Sequence, residues 1–403
     1  MIKKQKIEKL NHQGYGIVRI NNKVVFVPYA LKDDVVDIEI VSNYKKYALA
    51  EVVNYVSMSD EHRKVICPYY ENCGGCNISH MKYPSQLEFK VNKVKDIFKR
   101  YLDMEIAPKI EYDKEFFYRN KVVFHVVDGK IGFYEEGTNR LINILGCRLL
   151  DKRINELVQL FNKLDLTNIE KIMVRTTSKE VMVVFYGYID KFDILKDKVD
   201  SIILINIKDK LLYGKSYIKE EINGMKFIIS YNSFFQVNTN VMKKLYDKVL
   251  EYAALTGSES VLDLYCGTGT IGLYLSKNAR DVKGIEVVED AIKDANINKE
   301  LNGSTNIEFI CGDVGKLVNN NYVADVVVVD PPRSGLSENT RKVILDNMYE
   351  RIVYVSCDPM TLARDLKELS SKYEIKDVCL FDMFANTYHV ECVSVLHRKS
   401  LEK

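Results

Sequence analysis

The sequence lacks several features that would assign it to a special class of proteins. We find no internal repeat and no low-complexity tract. No apolar run approaches the ~18–20 residues that a membrane-spanning helix requires, so we expect no membrane partner. No charge of one sign dominates, because the chain has 58 Lys and Arg residues and 56 Asp and Glu residues, which gives a net charge of +2. This balance excludes a simple polycation but leaves nucleic-acid binding open, because charge can be local. The basic N-terminus has no apolar run behind it, so we expect no secretory signal and a cytoplasmic location.

The composition is that of a globular protein, with 47% hydrophobic and 28% charged residues. At ~100–200 residues per domain, a chain of 403 residues is expected to form two or three domains. The nine cysteines favour reduced thiols, a metal site or a catalytic thiol over a disulfide framework, because their number is odd and no export signal accompanies them. A monomer is the default expectation.

Three segments of the chain differ in pattern. Residues 1–58 carry β-branched runs separated by Gly, Asn and Asp turns, which predicts a small β-barrel. Residues 59–230 mix short strands and helices, which predicts a central α+β domain. Its helix over residues 85–101 is expected to pack on the third segment. Residues 231–403 alternate apolar strands with amphipathic helices, which predicts a cofactor-binding α/β domain.

The third segment predicts a Rossmann-like, mostly parallel sheet of seven strands. The strand candidates are residues 260–265, 282–287, 307–311, 325–330, 351–356, 373–382 and 391–398. Right-handed crossovers place the loops after parallel strands along one edge, where ligands bind.

A glycine-rich loop follows the first of these strands. Gly267, Gly269 and Gly272 satisfy the pattern G-x-G-x-x-G, and Glu286 ends the next strand. An acid about 20 residues beyond the glycines binds ribose hydroxyls, so a nucleoside cofactor is expected here. A dehydrogenase would fit this fragment equally well.

Two further acids favour S-adenosylmethionine as the cofactor. Asp263 lies in the strand before the glycine loop and can meet a cationic ammonium group, and Asp313 follows the third strand and can accept from an adenine amino group. This order of acids resembles Rossmann-like methyltransferases. The alternative is that the carboxylates cap helices.

Cys357 is a candidate nucleophile, because it lies at a strand end just before a predicted helix. The helix dipole and Arg364 are expected to lower the pKa of its thiol. The alternative is a small buried hydrophobic residue. A thiolate adding to carbon 6 of uracil would make carbon 5 nucleophilic, after which a base must remove the proton from carbon 5. Glu391 is the available base, although alone it could be an exposed acid on an edge strand.

The loop Asp330-Pro331-Pro332-Arg333 places a carboxylate beside the donor site. Methylases of the adenine amino group carry an aromatic residue after such a loop, so Arg333 disfavours that chemistry.

Six ordered motifs resemble the bacterial RNA 5-methyluridine methyltransferases. They are Phe234-Phe235-Gln236-Val237-Asn238, Asp263-Leu264-Tyr265-Cys266-Gly267, Gly284-Ile285-Glu286, Asp330-Pro331-Pro332-Arg333, Ser356-Cys357-Asp358-Pro359 and His389-Val390-Glu391. The family motif often reads Ser-Cys-Asn-Pro, so Asp358 is a modest departure. The resemblance implies a class I methyltransferase domain over residues 231–403, with Cys357 as nucleophile and Glu391 as base. It also implies a cofactor site formed by Gln236, Tyr265, Gly267, Thr270, Glu286, Asp313 and Asp330, of which Gln236 and Asp330 also face the uracil.

The N-terminal segment resembles the TRAM domain, an RNA-binding, OB-like barrel. The resemblance rests on Gly14-Tyr15-Gly16-Ile17-Val18-Arg19 and on residues 27–31. Asp33-Asp34-Val35 stands where that family usually has Gly-Asp-x-Val.

A cluster of cysteines opens the central domain. Cys67, Cys73 and Cys76 crowd into ten residues, and either zinc or a [4Fe–4S] cluster could bind there. The other cysteines fall in the cofactor domain, which leaves Cys147 as the fourth ligand. Iron–sulfur members of the methyltransferase family show this pattern, so the resemblance favours a [4Fe–4S] cluster that is structural or contacts RNA. Radical methylthiotransferases differ in both cluster motif and TRAM position.

The expected substrate is an unpaired or flipped-out uridine, since a base inside a stem cannot reach a buried thiol. Arg119 and Lys121 are candidates to hold the RNA strand, although each alone could be a solvated surface charge. Family members with both a TRAM domain and a cysteine cluster usually act on 23S ribosomal RNA, which is therefore the expected partner. The alternatives are the same reaction on tRNA, or a non-catalytic RNA-binding or assembly factor.

Overall fold

The structure, a computed structural model, describes residues 1–206, 208–318 and 322–400. It divides into two compact units. The first comprises Met1–Lys93, Phe133–Ile142 and Phe384–His389, and the second comprises Val94–Gly132, Asn143–Met383 and Val390–Lys403. Among the described residues, no helix is long and apolar enough to cross a membrane.

The first unit begins with a six-stranded sheet. Its strands are β1 Ile2–Lys6, β2 Lys9–Leu10, β3 Gly16–Ile20, β4 Lys23–Val27, β5 Val35–Asn43 and β6 Tyr47–Ser57, in the order β1-β5-β6-β4-β3-β2. Alternate residues of these strands face one apolar core, which includes Val25, Val36 and Ile38. A Cβ on Gly16 would lie 2.9 Å from the Ile7 side chain and 3.0 Å from the Ala30 carbonyl oxygen, so glycine allows a close approach here.

A buried carboxylate attaches this sheet to the segment that follows it. Asp34 is fully buried and accepts hydrogen bonds from the Leu31 and Ser59 backbone N–H groups, each at 2.7 Å. Its other contact is with the His62 ring, also at 2.7 Å. The second Asp of the Asp33-Asp34-Val35 sequence is therefore a structural residue. The cysteine segment follows, and the helix α1 Tyr83–Leu102 comes after it.

The central part of the chain forms a mixed sheet. Its strands, in the order β10-β9-β8-β11-β12-β13-β14, are β8 Lys121–Val127, β9 Lys130–Tyr134, β10 Leu141–Asn143, β11 Ile169–Thr176, β12 Val181–Gly187, β13 Ser201–Ile205 and β14 Lys210–Gly214. The helix α2 Lys152–Phe161 packs its apolar side chains into this region, and a 3₁₀ turn spans Asp193–Leu195. The hairpin of β15 Tyr217–Ile222 and β16 Met225–Ser230 follows.

The cofactor-binding part of the second unit has an eight-stranded sheet in the order β19-β18-β17-β20-β21-β23-β22-β7. Its strands are β7 Lys109–Glu111, β17 Ser260–Leu264, β18 Asp281–Glu286, β19 Ile307–Cys311, β20 Val326–Val329, β21 Arg351–Ser356, β22 Tyr373–Phe381 and β23 Glu391–Arg398. The helices are α3 Thr239–Ala253, α4 Thr270–Ser276, α5 Glu289–Leu301, α6 Val314–Leu317, α7 Glu338–Asn347 and α8 Pro359–Leu369.

The sheet differs from the sequence prediction in its strand number. Seven strands were expected, and the eighth is β7, which pairs in parallel with residues Cys379–Phe381 of β22. A strand of three residues is too short to reveal itself by periodicity. Only β23 runs against its neighbours, so the sheet is mostly parallel, as predicted. The loops that follow β17, β18, β19, β20 and β21 therefore lie along one edge.

Candidate active site

The glycine loop begins where β17 ends. Gly269 has φ +77°, and a Cβ at this position would lie 2.4 Å from the Phe309 ring, so only glycine fits. Glu286 at the end of β18 accepts a hydrogen bond from the Gly267 N–H at 3.2 Å and another from the Val288 N–H at 2.9 Å. Glu286 therefore lies against the loop, where ribose hydroxyls are expected. Thr270 opens α4, and its hydroxyl lies 3.0 Å from that of Tyr246.

A cavity of about 290 Å³ lies beside this loop. Tyr265 and Asp313 both line it. Tyr265 has a left-handed backbone with φ +64°, uncommon outside glycine, and its hydroxyl lies 3.1 Å from that of Thr340. Asp313 also caps α6 by accepting from the Lys316 N–H at 3.0 Å. Asp313 is thus both a helix cap and a cavity-lining residue. Capping a helix and binding an adenine amino group are therefore compatible roles for this acid.

Asp263 is a buried carboxylate without a hydrogen-bond partner among the described residues. Burial, with the negative charge of Asp330, raises its pKa to about 8, and the Gly272 backbone amide opposes the rise. A Cβ on Gly272 would lie 2.8 Å from the Asp263 carboxylate, so glycine leaves room for this side chain. An orphaned buried acid fits a cationic ligand, which S-adenosylmethionine would supply through its ammonium and sulfonium groups.

Three reactive side chains lie at the ends of adjacent strands. Asp330 follows β20, Cys357 follows β21, and Glu391 begins β23, which pairs with β21. Ser356 pairs with Cys392, so Cys357 and Glu391 are the next residues along the two strands. Glu391 is only 4% exposed, and β23 lies between β21 and β22. Glu391 is therefore not an exposed acid on an edge strand.

The two carboxylic acids hold protons more tightly than usual. Burial raises the pKa of Glu391 to about 8, with a further contribution from the charge of Asp330, while Arg333 opposes the rise. Burial alone raises the pKa of Asp330 to about 7. Both groups can thus exchange protons near neutral pH, which a general base requires.

The sequence predicted a low pKa for the Cys357 thiol, and this prediction is wrong for the protein without ligands. Burial, followed by the charges of Glu391 and Asp330, raises this pKa to about 12, and Arg333 is the cation that lowers it. Arg364 does not act here, because its guanidinium binds the Asp365 carboxylate at 2.7 Å.

The turn around Cys357 is fixed by its neighbours. Asp358 caps α8 by accepting from the Met360 and Thr361 N–H groups at 2.8 and 3.2 Å. The Ser356 hydroxyl donates to the Asp358 carbonyl oxygen at 3.0 Å. Asp and Asn are both good helix caps, so Asp358 preserves the turn despite its departure from the family motif.

Gln236 lies in a loop between β16 and α3 and is 7% exposed. Asn120 holds this loop, because its Nδ2 donates to the Gln236 carbonyl oxygen at 3.1 Å and its N–H donates to that of Val237 at 2.9 Å. Phe234 in the same loop is 67% exposed, which leaves its ring free to contact a ligand.

Three of the four predicted metal ligands belong to the same compact unit. Cys67, Cys73 and Cys76 belong to the first unit, where burial and the charge of Cys67 raise the pKa of the Cys73 thiol. Cys147 belongs to the second unit, where its N–H donates to Asn155 Oδ1 at 2.7 Å. Within residues 1–206, 208–318 and 322–400, no group of three or more His, Cys, Asp or Glu side chains is placed to hold a metal ion. The described side chains therefore do not present a formed cluster site.

Sequence reasoning missed two residues of this site. Arg333 was used only to disfavour adenine chemistry, yet its charge acts on both Cys357 and Glu391. Its position directly after Asp330-Pro331-Pro332 was an available signal. Thr340, which positions the Tyr265 hydroxyl, lies on α7, and nothing in the sequence near it indicated this contact.

Comparisons with known proteins show the family to which the chain belongs. Residues 82–315 and 313–399 match the family described as tRNA (Uracil-5-)-methyltransferase, and residues 6–53 match the TRAM domain. An uncharacterized RNA methyltransferase of Halalkalibacterium halodurans is 36% identical over 98% of this chain and 96% of its own length. Another, of Clostridium acetobutylicum, is 37% identical over 97% of this chain and 96% of its own length.

A solved structure resembles nearly the whole chain. It is the Pyrococcus abyssi tRNA (uracil-54, C5)-methyltransferase in complex with S-adenosyl-L-homocysteine, with a TM-score of 0.80 and 30% identity, covering 98% of this chain and 99% of that chain. The fold is accordingly that of an S-adenosylmethionine-dependent methyltransferase with an N-terminal TRAM domain. This chain belongs to the tRNA (uracil-5-)-methyltransferase family and is one of its S-adenosylmethionine-dependent RNA methyltransferases.

Proposed function

We propose that this protein methylates carbon 5 of a uridine in 23S ribosomal RNA, with Cys357 as nucleophile and Glu391 as base. The supporting observation is the group of Cys357, Glu391 and Asp330 at three strand ends, in which Glu391 is buried and each carboxylate acts on the thiol. A non-catalytic RNA-binding factor would have no reason to keep two raised-pKa carboxylic acids beside a cysteine.

The donor site is proposed around the glycine loop. Glu286 would bind the ribose hydroxyls, and Tyr265 and Asp313 would enclose the adenine in the cavity that they line. Gln236 and Asp330 would lie between donor and uracil, and Gly267 and Thr270 would form the floor of the site. When bound, S-adenosylmethionine supplies an electrophilic methyl group on a sulfonium.

The proposed reaction begins with the thiol of Cys357 losing its proton to solvent. Arg333 and the positive charge of the donor both favour the thiolate over the thiol. The thiolate then forms a bond to carbon 6 of uracil, and the displaced electron pair makes carbon 5 nucleophilic. Carbon 5 takes the methyl group, which leaves the donor sulfur neutral.

Glu391 completes the proposed cycle. Its carboxylate removes the proton from carbon 5, the electron pair of that C–H bond restores the double bond between carbons 5 and 6, and the bond from carbon 6 to Cys357 breaks. With its pKa raised to about 8, Glu391 is a stronger base than an ordinary carboxylate.

A methyl-transfer assay tests the reaction and the substrate together. The protein is incubated with S-adenosylmethionine and unmodified 23S RNA or, separately, unmodified tRNA, and product nucleosides are identified by mass spectrometry. We expect 5-methyluridine from 23S RNA. Its absence from both RNAs would contradict the proposed activity.

tRNA is the second candidate substrate, and a specific observation favours it. The similar Pyrococcus abyssi structure is described as a tRNA (uracil-54, C5)-methyltransferase, and it covers 98% of this chain. A TRAM domain therefore does not by itself indicate ribosomal RNA. 5-Methyluridine from tRNA alone would replace the proposed substrate while retaining the proposed chemistry.

The [4Fe–4S] cluster on Cys67, Cys73, Cys76 and Cys147 stays a prediction from the sequence, and methyl transfer requires none of its electrons. Iron and sulfide analysis of protein purified without oxygen tests it. We expect about four irons per chain. One zinc and no iron would show that the cluster prediction is wrong.

A further inference from the structure

The second unit buries a guanidinium that lacks the partners such a group requires. Arg175 in β11 is 1% exposed. Its Nη1 donates to the Ser230 carbonyl oxygen at 3.3 Å, but Nε and Nη2 have no hydrogen-bond partner among the described residues. Burying an arginine with unused donors is costly unless an anion completes the site.

Lys121 lies opposite Arg175, and Arg119 lies beside Lys121. Lys121 in β8 is the direct partner of Arg175 across the antiparallel pair β8–β11, and such partners have Cβ atoms about 4.5–5.5 Å apart on one face. Arg119 approaches from the residues before β8, and its Nε donates to the Lys121 carbonyl oxygen at 3.0 Å. Burial, with the charges of Arg175 and Arg119, lowers the pKa of Lys121 to about 8. Like charges opposite each other repel, so an anion would stabilise all three.

Within the described residues, these cations lack a paired carboxylate. In the part of the chain that the structure describes, none of the three forms an ion pair. Asp294 is the acid that acts on Arg175 from nearby, but its carboxylate already accepts hydrogen bonds from the hydroxyls of Ser230 and Ser233.

The cations flank the loop that carries Gln236. Arg175 binds the carbonyl oxygen of Ser230 at the start of that loop, and Asn120, between Arg119 and Lys121, binds the carbonyl oxygens near its end. The exposed ring of Phe234 lies within the same loop. A cationic site next to an exposed aromatic ring is typical of surfaces that hold single-stranded RNA, where bases stack and phosphates are neutralised.

We propose that Arg175, Lys121 and Arg119 form a phosphate-binding site for the RNA backbone beside the target uridine. This inference rests on the proposed function, because it names how the substrate of that site is held. In this proposal the phosphate first meets the partly exposed Lys121, a point charge, and the donors of Arg175, which are buried in the free protein, turn toward it and match phosphate oxygens in pairs. The site is specific for an anion and carries no sequence information of its own.

The test compares Arg175→Met with the wild-type protein in RNA binding. Methionine keeps much of the volume of the side chain and removes the donors. Binding of poly(U) and of unmodified tRNA and 23S transcripts is measured at several salt concentrations. We expect the variant to bind about 10–100-fold more weakly, as for the loss of a charged hydrogen bond. The slope of log affinity against log salt should fall by about 0.7 for each lost phosphate contact. Binding of S-adenosylmethionine should change less than twofold.

Two further variants keep the test decisive if Arg175→Met folds poorly. Lys121→Ala removes a less buried cation of the same site and should also lower the salt slope. Lys163→Ala is the matched control, because Lys163 is exposed and lies just beyond α2 in the same unit. Unfolding temperatures are measured for all variants.

The outcomes separate this inference from the proposed function. Unchanged RNA affinity and salt slope in both site variants would overturn the phosphate site even if the wild type methylates uridine. Loss of S-adenosylmethionine binding with normal RNA binding would assign the cations to the carboxylate of the donor instead. A reduced salt slope in a protein that methylates no RNA would support the phosphate site and contradict the proposed reaction.

Discussion

Cys357 and Glu391 lie side by side at the ends of β21 and β23, and the charge of Glu391 raises the pKa of the Cys357 thiol. The free protein thus keeps its proposed nucleophile protonated and unreactive. Arg333 opposes this effect on both residues. A positively charged donor bound near them would shift both groups toward their ionised forms, so the nucleophile would become reactive only when the methyl group is present.

Replacing Cys357 with alanine should reduce methyl transfer to background, because carbon 5 of uracil is not nucleophilic without addition at carbon 6. S-Adenosylmethionine should bind within about twofold of wild type, since the thiol is not part of the proposed donor site. Methyl transfer and equilibrium dialysis measure the two properties. Cys379→Ala is the control, because Cys379 is a buried cysteine of β22 in the same sheet. Turnover by Cys357→Ala near the wild-type rate would remove Cys357 from the mechanism.

Replacing Glu391 with glutamine should trap the methylated uridine on Cys357. The amide cannot take the proton from carbon 5, so the covalent protein–RNA product should accumulate as a shifted band on a denaturing gel. Asp358→Asn is the control, because asparagine still caps α8 and a charge is removed from the same turn. Clean turnover without the shifted band would exclude Glu391 as the base.

The same Glu391→Gln variant should make the Cys357 thiol more reactive in the free protein. Removing a negative charge favours the thiolate, so the pKa of the thiol falls. The difference should be largest above pH 8, where Glu391 is ionised in the wild type. Alkylation by iodoacetamide, followed at the Cys357 peptide by mass spectrometry between pH 7 and 10, measures it. Equal alkylation rates across this range would mean that Glu391 does not control the thiol.

Sequence patterns predicted most of the cofactor-binding sheet. The candidates 307–311, 351–356 and 391–398 coincide with β19, β21 and β23. For β21 and β23 the reason is that strands buried on both faces read as mostly apolar runs. Two features of the structure could not be predicted from such apolar runs. β7 has only three residues and takes its strand conformation from its pairing with β22. The thiol pKa of Cys357 depends on the charges of Asp330 and Glu391, which are distant in sequence, whereas the nearby Arg364 is engaged elsewhere.

The sequence gives no sign that Arg175 is buried or that Lys121 lies opposite it. Arg175 lies in a strand that also carries the exposed Glu170 and Lys171 and would be taken for a surface cation, yet it is 1% exposed. Only the pairing of β11 with β8 reveals that Lys121 lies opposite it.

Asn386 fixes the loop that immediately precedes Glu391 in the chain. It is fully buried, and its Oδ1 accepts from Arg63 at 2.6 Å, Ser79 at 3.0 Å and Gln86 at 3.3 Å. Its φ is +68°, which asparagine tolerates better than alanine. We expect Asn386→Ala to destabilise the protein by about 2–4 kcal/mol, since the half-buried Arg63 guanidinium loses one of its acceptors, two further donors lose theirs, and the backbone is strained.

The activity of Asn386→Ala separates positioning from folding. Below its unfolding temperature the variant should show a lower kcat with nearly unchanged binding of S-adenosylmethionine, because the loop before the proposed base has lost the hydrogen bonds of Asn386. Asn22→Ala is the control, since Asn22 has φ +63° in an exposed turn, so it carries the backbone strain alone. A wild-type kcat in Asn386→Ala would limit this residue to a structural role.

The pH dependence of stability should reveal the protonated state of Asp263. In the folded protein its pKa is raised to about 8, whereas in the unfolded chain it is about 3.9. Its contribution to stability is therefore complete below about pH 4 and is lost as the pH rises to about 8. Asp263→Asn cannot ionise, so its unfolding temperature should rise relative to wild type between pH 5 and pH 8, by the equivalent of a few kcal/mol, on the order given by the pKa shift.

Asp346→Asn, at an exposed position of α7, should follow the wild type at both pH values. A constant difference between Asp263→Asn and wild type across this range would show that Asp263 is ionised in the folded protein, and that a residue of the chain neutralises it before any cationic donor arrives.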